Sequence, residues 1–322
     1  MDWKPIFLTG PQRSGTTLLY AIMGSHPNIA LTRRSNFWEF FYKRFGDLND
    51  PENAARCLSA LKRYERLAVL KPDWCAFFDE FWSGERTYAQ LFGLLEQQLA
   101  RRQGKERWGD KSHNLERHAK AIFECYPNAR VIHIIRDPRD RYVSARKADR
   151  VGRSGAAGGI AAWLWSVHHA KRNMRRYPNR YKVVQFESLV EAPERTAREL
   201  CEFVEEEFSP AMLKMQGASA FRDKGGNSSF QSHQAGAISR SPVGRYRKYL
   251  QPRDLALMQA LARREMRDFH YPVDPVKFAG VDWFRHHLVD RPFSWALAAQ
   301  WQARQEYKFW AGRDPSARRV VA

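Results

Sequence analysis

Cysteine is scarce in this sequence, and the cysteines that occur stand far apart. Cys57, Cys75, Cys125 and Cys201 are the four among 322 residues, and no two of them form a C-x-x-C pair. A disulfide framework and a cysteine-based zinc site are therefore disfavoured, and buried reduced thiols are the simpler interpretation.

Long apolar runs are missing as well. No stretch reaches the roughly 18 consecutive apolar residues that a membrane-spanning helix needs. The first strand-like run begins at Pro5, which leaves no room for a secretory leader. Together these features predict a cytoplasmic protein. With 43% hydrophobic and 28% charged residues, the composition is that of a globular chain with one substantial core.

Acidic residues are outnumbered by basic ones. The chain has 54 lysines and arginines against 35 aspartates and glutamates, which gives a formal net charge of +19. Such a charge raises the local concentration of anions, but it does not identify the anion. Nucleic acid, an anionic membrane face and a small polyanionic cofactor all remain open, and only individual sites can separate them.

The first motif lacks the residue that its pattern normally carries. After the apolar residues 6–8, Gly10 and Gly15 follow the spacing of the phosphate-binding loop G-x-x-x-x-G-K-[ST], but Thr16 stands at the lysine position. A strand, a glycine-rich turn and a helix N-terminus direct free N–H groups and a helix dipole at one point. The sequence therefore predicts an anion site without the lysine of nucleoside triphosphatases.

The loop has other donors for an anion. Ser14, Thr16 and Thr17 add hydroxyl groups, and Arg13 supplies a cation from a different place on the loop. The missing lysine normally reaches the β- and γ-phosphates, so its absence favours a nucleotide with a single phosphate on the 5′ side. This description fits 3′-phosphoadenosine 5′-phosphosulfate (PAPS). Its sulfuryl group carries less charge than a γ-phosphoryl group, so side-chain cations can suffice without a metal.

A second anion site follows a second strand. In IIRDPRDRYVS, Arg136 ends a strand and Ser144 lies about two turns into the next helix. Both can point toward the carboxyl edge of the sheet, where open α/β sheets bind ligands. Two anion sites at the ends of two strands match a cofactor that is phosphorylated at both the 3′ and the 5′ position.

Strands alternate with helices along the chain. The patterns predict strands at 5–9, 129–137 and 181–186, and helices at 15–23, 51–70, 74–82, 83–103, 193–206 and 252–268, with another helix beginning after Asp137. This alternation predicts an α/β, P-loop-like fold of three layers, with a central parallel sheet flanked by helices. The Gly- and Ser-rich segment 219–241 is predicted to be a long loop.

The two anion motifs also carry a family resemblance. PQRSGTTLL with VIHIIRDPRDRYVS resembles the paired 5′- and 3′-phosphate signatures of the PAPS-dependent sulfotransferase family, in the arginine-bearing form of bacterial sulfotransferases and tyrosylprotein sulfotransferases. WGDKSH at 108–113, VVQFESL at 183–189 and PVGRYRKYL at 242–250 support it.

This resemblance implies a domain organisation. It predicts a sulfotransferase α/β domain at 1–270, in which 51–107 forms a helical insertion on the acceptor side and 219–241 a long loop on the cofactor side. Residues 271–322 then form an aromatic-rich C-terminal extension. The extension contains Trp283, Trp295, Trp301 and Trp310, which suit packing onto the domain, membrane-surface contact or partner contact.

By the same resemblance, PAPS is the cofactor, adenosine 3′,5′-bisphosphate is the product left after transfer, and no metal takes part. The residues implied to bind the 5′-phosphosulfate are Arg13, Ser14, Gly15, Thr16 and Thr17, and those implied to bind the 3′-phosphate are Arg136 and Ser144. Arg245 is expected to close over the 3′-phosphate, although this chain has no Arg-Lys-Gly triplet ahead of Gly244-Arg245-Tyr246.

Two residues are candidates for the general base that the reaction requires. Lys111-Ser112-His113 resembles the Lys-Thr-His of cytosolic sulfotransferases, in which the histidine is the base. Glu39 stands near the position where arginine-type members carry a catalytic glutamate, although the alignment there requires an insertion. We favour His113 and keep Glu39 as the alternative. Arg13 and Lys111 are the predicted cations beside the leaving phosphate.

The resemblance implies a hydroxyl-bearing acceptor, which in the family ranges from small phenols to glycans, lipids and peptide tyrosines, and the motifs do not separate these classes. Residues 74–82 place their aromatic side chains on one helix face, and NFWEFF at 36–41 adds more. These rings suit an apolar acceptor pocket and core packing equally well. The prediction is a hydrophobic small molecule or a lipid-like alcohol, with no specific nucleic acid as partner and the oligomeric state open.

Two other functions compete with sulfuryl transfer. A P-loop-type kinase or phosphotransferase would use Asp137 to bind magnesium, but Thr16 at the lysine position and Arg136 beside Asp137 suit phosphate better. A basic nucleic-acid- or membrane-binding protein would explain the charge of +19. The sequence lacks a recognisable nucleic-acid-binding motif, which disfavours the first form of that alternative.

Overall fold

Five parallel strands form one sheet in the computed structural model, which describes residues 2–68, 70–148, 155–218, 238–278 and 284–310. The strands are β1 (Ile6–Thr9), β2 (Ile29–Arg33), β3 (Arg107–Lys111), β4 (Arg130–Ile135) and β5 (Tyr181–Gln185), and their order across the sheet is β2-β3-β1-β4-β5. The predicted α/β fold with a central parallel sheet is confirmed.

The register aligns the carboxyl ends of the central strands. Leu8 in β1 lies opposite Lys111 in β3 and Ile132 in β4, and all three strands run in the same direction. The segments that leave β1, β3 and β4 therefore emerge at one edge of the sheet. This edge carries the predicted phosphate loop, the His113 segment and Arg136.

Helices cover both faces of this sheet. In chain order they are α1 (Thr16–Gly24), α2 (Phe37–Phe40), α3 (Pro51–Arg63), α4 (Glu65–Ala68), α5 (Trp74–Trp82), α6 (Tyr88–Arg102), α7 (Ala119–Cys125), α8 (Pro138–Lys147), α9 (Gly155–Arg176), α10 (Phe186–Glu191), α11 (Pro193–Val204), α12 (Ala211–Lys214), α13 (Tyr246–Tyr249), α14 (Pro252–Asp268) and α15 (Arg291–Trp310). Short 3₁₀ turns at Leu115–Arg117 and Gln216–Ala218, and a π-helical turn at Arg285–Asp290, complete the described elements.

Local signals set several of these boundaries. The Asp137 side chain accepts the Arg139 N–H and Pro138 occupies the first turn of α8, as the sequence predicts. The single helix predicted over 51–70 is wrong, because Tyr64 adopts an extended conformation that separates α3 from α4. Of the predicted loop 219–241, residues 219–237 lie outside the described residues.

The aromatic stretches belong to the core. Phe37, Trp38, Phe77 and Phe81 are buried in a cluster between the sheet and helices α2, α3, α5 and α6, and the Phe37 ring stacks on Phe92 at 4.6 Å. Core packing thus accounts for the burial of these rings, and the interpretation that they line an acceptor pocket stays a prediction. Burial of each such ring from water stabilises the fold by about 1.5–3 kcal/mol.

The C-terminal extension is helical over residues 284–310, whereas residues 271–278 have no regular secondary structure. Helix α15 packs along α9 and also contacts α14, so the extension returns to the sulfotransferase-like domain. Across the described ranges, none of the helices combines the length and the apolar character that crossing a bilayer requires.

Candidate active site

The glycine-rich turn after β1 fits closely against its neighbours. Gly10 (φ 147°) lies where a Cβ atom would come within 2.2 Å of the Ile134 carbonyl oxygen. Gly15 (φ 92°) precedes α1, and a Cβ atom there would lie 2.3 Å from the Phe186 ring. Only glycine fits both positions. The turn therefore brings the free N–H groups of the first turn of α1 to the carboxyl edge of the sheet.

Replacing Gly15 with alanine is expected to lower the free energy of unfolding by about 1–3 kcal/mol and to weaken anion binding by the turn, since both backbone and ring must shift. Gly104→Ala is the matched control, because Gly104 also has a positive φ (64°) but a Cβ atom there meets nothing within 4 Å. Urea unfolding of both variants measures the difference. Equal losses of stability in the two variants would contradict this account of the turn.

Two side chains of the turn, Ser14 and Arg13, have the properties of anion-binding groups. The Ser14 hydroxyl is fully buried and has no hydrogen-bond partner among the described residues. Arg13 (φ 69°) donates from Nε to the Ser144 Oγ at 3.0 Å. Because a buried hydroxyl without a partner is costly, Ser14 is suited to receive a ligand oxygen.

Arg136 ties the second predicted anion site to the first. At the end of β4, it donates to the Arg13 carbonyl oxygen at 3.3 Å and to the Pro242 carbonyl oxygen at 2.5 Å, and its guanidinium lies over the Phe186 ring at 4.6 Å. The Nε atom is buried without a partner among the described residues. Through Arg13 and Ser144, the structure thus brings both predicted phosphate sites into one hydrogen-bonded group.

Arg245 lies next to this group. Its guanidinium donates to the carbonyl oxygen and the hydroxyl of Ser241, at 2.6 and 2.8 Å. Asp140 on α8 holds the segment in place by accepting the N–H groups of Gly244 (2.6 Å) and Tyr246 (2.8 Å). Burial and the charge of Arg136 lower the pKa of Arg245, so the two guanidinium groups are electrostatically close.

His113 opens onto a cleft of about 300 Å³ at this edge of the sheet. Burial and the charges of Lys111 and Arg34 lower the pKa of His113 to about 4, against an opposing hydrogen bond with the Gly10 backbone. The imidazole is therefore neutral at neutral pH. Its Nδ1 atom is buried and lacks a hydrogen-bond partner among the described residues, so this atom can accept a proton.

The low pKa of His113 predicts a pH dependence of stability. Between about pH 6.5 and 4 the unfolded chain holds a proton on this residue that the folded protein rejects, so the free energy of unfolding falls as the pH falls through this window. His113→Asn removes that part of the decrease. Urea unfolding across the window measures the slope, with the exposed His270→Asn as control. Parallel profiles of His113→Asn and the unmodified protein would contradict the prediction.

The two remaining predicted catalytic residues, Lys111 and Glu39, are both absent from the lining of the cleft. Lys111 ends β3 and is buried, and burial together with Arg34 lowers the pKa of its amine to about 8. Glu39 lies on α2, half-buried, and is not among the residues that line the cleft. Its charge acts on Arg117, which does line the cleft. His113 is thus the candidate base that the structure brings to the cleft.

A buried carboxylate at the cleft was missed by sequence reasoning. Glu116 accepts hydrogen bonds from the hydroxyls of Thr9 and Ser166, and Ser166 also contacts His133 Nε2 at 3.1 Å. Burial pushes the pKa of Glu116 upward, but His133 and the two hydroxyls outweigh it and hold the pKa below its usual value. The partners come from β1, β4 and α9, so no local sequence motif predicts this cluster.

The C-terminal helix supplies one wall of the cleft. Trp301 and Gln305 of α15 line it opposite the phosphate loop and His113. Glu306 accepts hydrogen bonds from Arg117 and from the Trp165 indole, each at 3.1 Å, and both donors also line the cleft. Sequence reasoning missed these residues because they lie beyond the part of the chain that carries the family resemblance.

Metal ligands are not grouped at this edge. Within the described ranges, no cluster of three or more histidine, cysteine, aspartate or glutamate side chains is placed to hold a metal ion. The cations near the turn include the side chains of Arg13, Lys111, Arg136 and Arg141. The site therefore offers anion binding by arginine, lysine, hydroxyl and backbone groups beside a neutral histidine.

Comparisons with known proteins identify relatives of this chain in sequence and in fold. A protein of Aquifex aeolicus (strain VF5) without an assigned function is 26% identical over 211 residues, which make up 63% of this chain and about a quarter (25%) of that protein. The sulfotransferase domain of the Synechococcus PCC 7002 olefin synthase has a TM-score of 0.60 at 22% identity, over 84% of this chain and 97% of that domain.

A second solved structure shares the fold. The sulfotransferase domain from the curacin biosynthetic pathway has a TM-score of 0.54 at 16% identity, over 84% of this chain and 99% of that domain. The sequence profile of the "Sulfotransferase family" matches residues 5–210, which is more than half of the chain and includes both anion motifs and His113. This chain therefore belongs to the sulfotransferase family.

Proposed function

We propose that this chain is a PAPS-dependent O-sulfotransferase, which transfers the sulfuryl group of PAPS to a hydroxyl group of an acceptor. The observation that carries the proposal is the link between the two anion sites. Arg13 of the first site donates to Ser144 of the second at 3.0 Å, and Arg136 donates to the Arg13 backbone. A donor with phosphates at its 3′ and 5′ positions suits such a pair.

The residues present fit this donor. The glycine turn packs closely against Ile134 and Phe186, which fixes its backbone, and the Ser14 Oγ and Arg136 Nε atoms are buried without described partners. We assign Arg13, Ser14, Gly15, Thr16 and Thr17 to the 5′-phosphosulfate, and Arg136, Ser144 and Arg245 to the 3′-phosphate. PAPS, when bound, supplies a sulfuryl group that is activated by its phosphate leaving group.

In this proposal the cations act on the leaving group. Arg13 and Lys111 stabilise the negative charge that develops on the 5′-phosphate oxygen as its bond to sulfur breaks. With a pKa of about 8, Lys111 is mostly protonated at neutral pH and can serve in this role. The same residues supply positive charge at this place without a metal ion.

His113 removes the acceptor proton in the proposed reaction. The Nδ1 atom of its neutral ring, which has no described partner, takes the proton of the attacking hydroxyl while the acceptor oxygen bonds to sulfur. A phosphosulfate close to the ring adds negative charge and so raises the pKa of His113 from about 4, which makes it a stronger base when the donor is present. Glu39 stays the alternative base.

The cleft lining supports an acceptor with both polar and apolar parts. Gln12, Asn114 and Gln305 offer hydrogen-bonding groups, and Trp165 and Trp301 add apolar surface. We propose a hydrophobic small molecule or lipid-like alcohol whose hydroxyl end enters the cleft near His113. The helices between residues 51 and 107 remain the proposed acceptor-side insertion.

Transfer of radioactive label tests the proposed function. The protein is incubated with ³⁵S-labelled PAPS and, separately, with 2-naphthol, 1-octanol or octyl glucoside, and labelled products are separated by chromatography. The expected result is label on at least one hydroxyl acceptor without added metal. Label transferred from γ-³²P ATP with magnesium, and none from PAPS, would support the phosphotransferase alternative instead.

A further inference from the structure

An apolar surface lies on the outer side of the C-terminal helical stretch. The large apolar side chains of this surface, each 53% to 73% exposed, are Phe284, Leu288, Val289, Phe293, Trp295 and Tyr307. They belong to one continuous stretch of the chain, residues 284–307, which comprises the π-helical turn and most of α15. Single exposed apolar residues are common, but such a concentration marks an interaction surface.

The opposite face of the same stretch packs against the rest of the protein. Asp290, Ser294 and Ala298 are buried, and Trp301 and Gln305 line the cleft, so the inward residues recur at three- and four-residue steps. This is the period of an α-helix that packs on one side. The core and the cleft therefore do not use the outer aromatic residues.

The acidic and basic side chains of the stretch also lie on different faces. Both of its carboxylates pair with the domain, Asp290 with Arg253 at 2.7 Å and Glu306 with Arg117 at 3.1 Å. Arg285 and Arg304, by contrast, are exposed. The outward side thus combines large apolar rings with cations, on a chain whose net charge is +19. This combination complements an anionic surface with an apolar interior.

We propose that residues 284–307 dock this protein on an anionic lipid bilayer. Tryptophan, phenylalanine and leucine side chains enter the boundary between headgroups and acyl chains, and arginine side chains attract anionic headgroups. The inner face of the same helix walls the cleft, so docking places the cleft beside the membrane surface. Delivery of a lipid-like alcohol from the bilayer is a consequence that rests on the proposed function, whereas the docking itself does not.

Vesicle sedimentation tests the docking. The full chain is mixed with large vesicles of phosphatidylcholine, either alone or with about 30 mol% phosphatidylglycerol. Binding to the anionic vesicles is expected, with weaker binding to the neutral ones and at high salt. Phe293→Ser/Trp295→Ser is expected to weaken binding by about 10-fold or more. Trp82→Ser/Val273→Ser is the control, since these residues are also exposed (42% and 44%) but lie elsewhere, and it is expected to bind normally.

Several outcomes would overturn the proposal: no sedimentation of the unmodified protein with anionic vesicles, or equal binding by both double variants. A dimer in light scattering that the Phe293→Ser/Trp295→Ser variant abolishes, without vesicle binding, would assign the surface to a second copy of the chain. A cooperative thermal unfolding transition verifies that each variant is folded, and binding of adenosine 3′,5′-bisphosphate is measured separately as a test of the proposed function. Because that binding is measured without lipid, failure of the proposed function and failure of the docking are distinguishable.

Discussion

His113→Ala is expected to lower the rate of sulfuryl transfer by about 10²- to 10⁴-fold, the usual contribution of a general base. The imidazole lines the cleft, is neutral at neutral pH and has an Nδ1 atom without a described partner. None of these properties is needed to hold the bisphosphate. Affinity for adenosine 3′,5′-bisphosphate is therefore expected to change little in this variant.

The measurement compares turnover of ³⁵S-labelled PAPS, on the acceptor found in the screen, with bisphosphate affinity from calorimetry. His168→Ala is the control, since His168 is an exposed histidine on α9 that is absent from the lining of the cleft. Glu39→Gln tests the alternative base. Normal turnover in His113→Ala together with a large loss in Glu39→Gln would contradict the assignment and transfer it to Glu39.

Arg136→Gln is expected to weaken binding of adenosine 3′,5′-bisphosphate by about 10- to 100-fold, which corresponds to the roughly 1.5–3 kcal/mol of a charged hydrogen bond. Arg136 is buried beside the Ser144 helix, with Nε still lacking a described partner. Glutamine keeps hydrogen-bond donors but removes the charge. Loss of charge should then weaken the 3′-phosphate contact without creating a large cavity.

The control for this substitution is Arg146→Gln. Arg146 lies on α8, two residues after Ser144, but is half-exposed and pairs with Asp254 at 4.0 Å. It is expected to bind the bisphosphate normally. Ser144→Ala, which keeps the helix, should weaken binding in the same direction as Arg136→Gln. Thermal unfolding identifies any variant that is misfolded, and equal affinity in all correctly folded variants would contradict the 3′-phosphate assignment.

Part of the fold could be predicted because some strands are marked by their own residues. Strands β1, β4 and β5 are rich in apolar residues, and their boundaries fall within two residues of the predicted ones. Strands β2 and β3 were both missed, and the sequence of β3, Arg107–Lys111, contains a glycine and three charged residues. Gly109 fits there because a Cβ atom would meet the Ile6 carbonyl oxygen at 1.9 Å, a constraint set by the neighbouring strand.

Some residues of the site could be predicted from local motifs, whereas others are brought there by contacts between distant parts of the chain. Gly10, Gly15 and Arg136 belong to motifs whose spacing and chemistry can be read along the chain. Glu116 depends on partners from three other elements, and Trp301 reaches the cleft only because α15 packs along α9. Proximity of this kind is fixed by tertiary packing, which periodicity does not report.

Aromatic periodicity shows the same limit of local patterns. The stripe at residues 74–82 correctly predicts a helix with one apolar face. The pattern does not distinguish a core from a ligand pocket, because both present the same spacing of apolar side chains. Phe77 and Phe81 are fully buried against neighbouring helices, so these two rings serve the core, whereas Trp82 at the end of the stripe is exposed.

The central claim, that the two anion sites bind a 3′,5′-bisphosphorylated nucleotide, is tested most directly by a thermal-shift titration. Adenosine 3′,5′-bisphosphate is compared with ATP plus magnesium, since a ligand that binds only the folded protein raises its stability. A rise in melting temperature with the bisphosphate, lost in Arg13→Ala and Arg136→Gln, is the result that the structure predicts. A rise with ATP and magnesium alone would contradict the claim and favour a phosphotransferase.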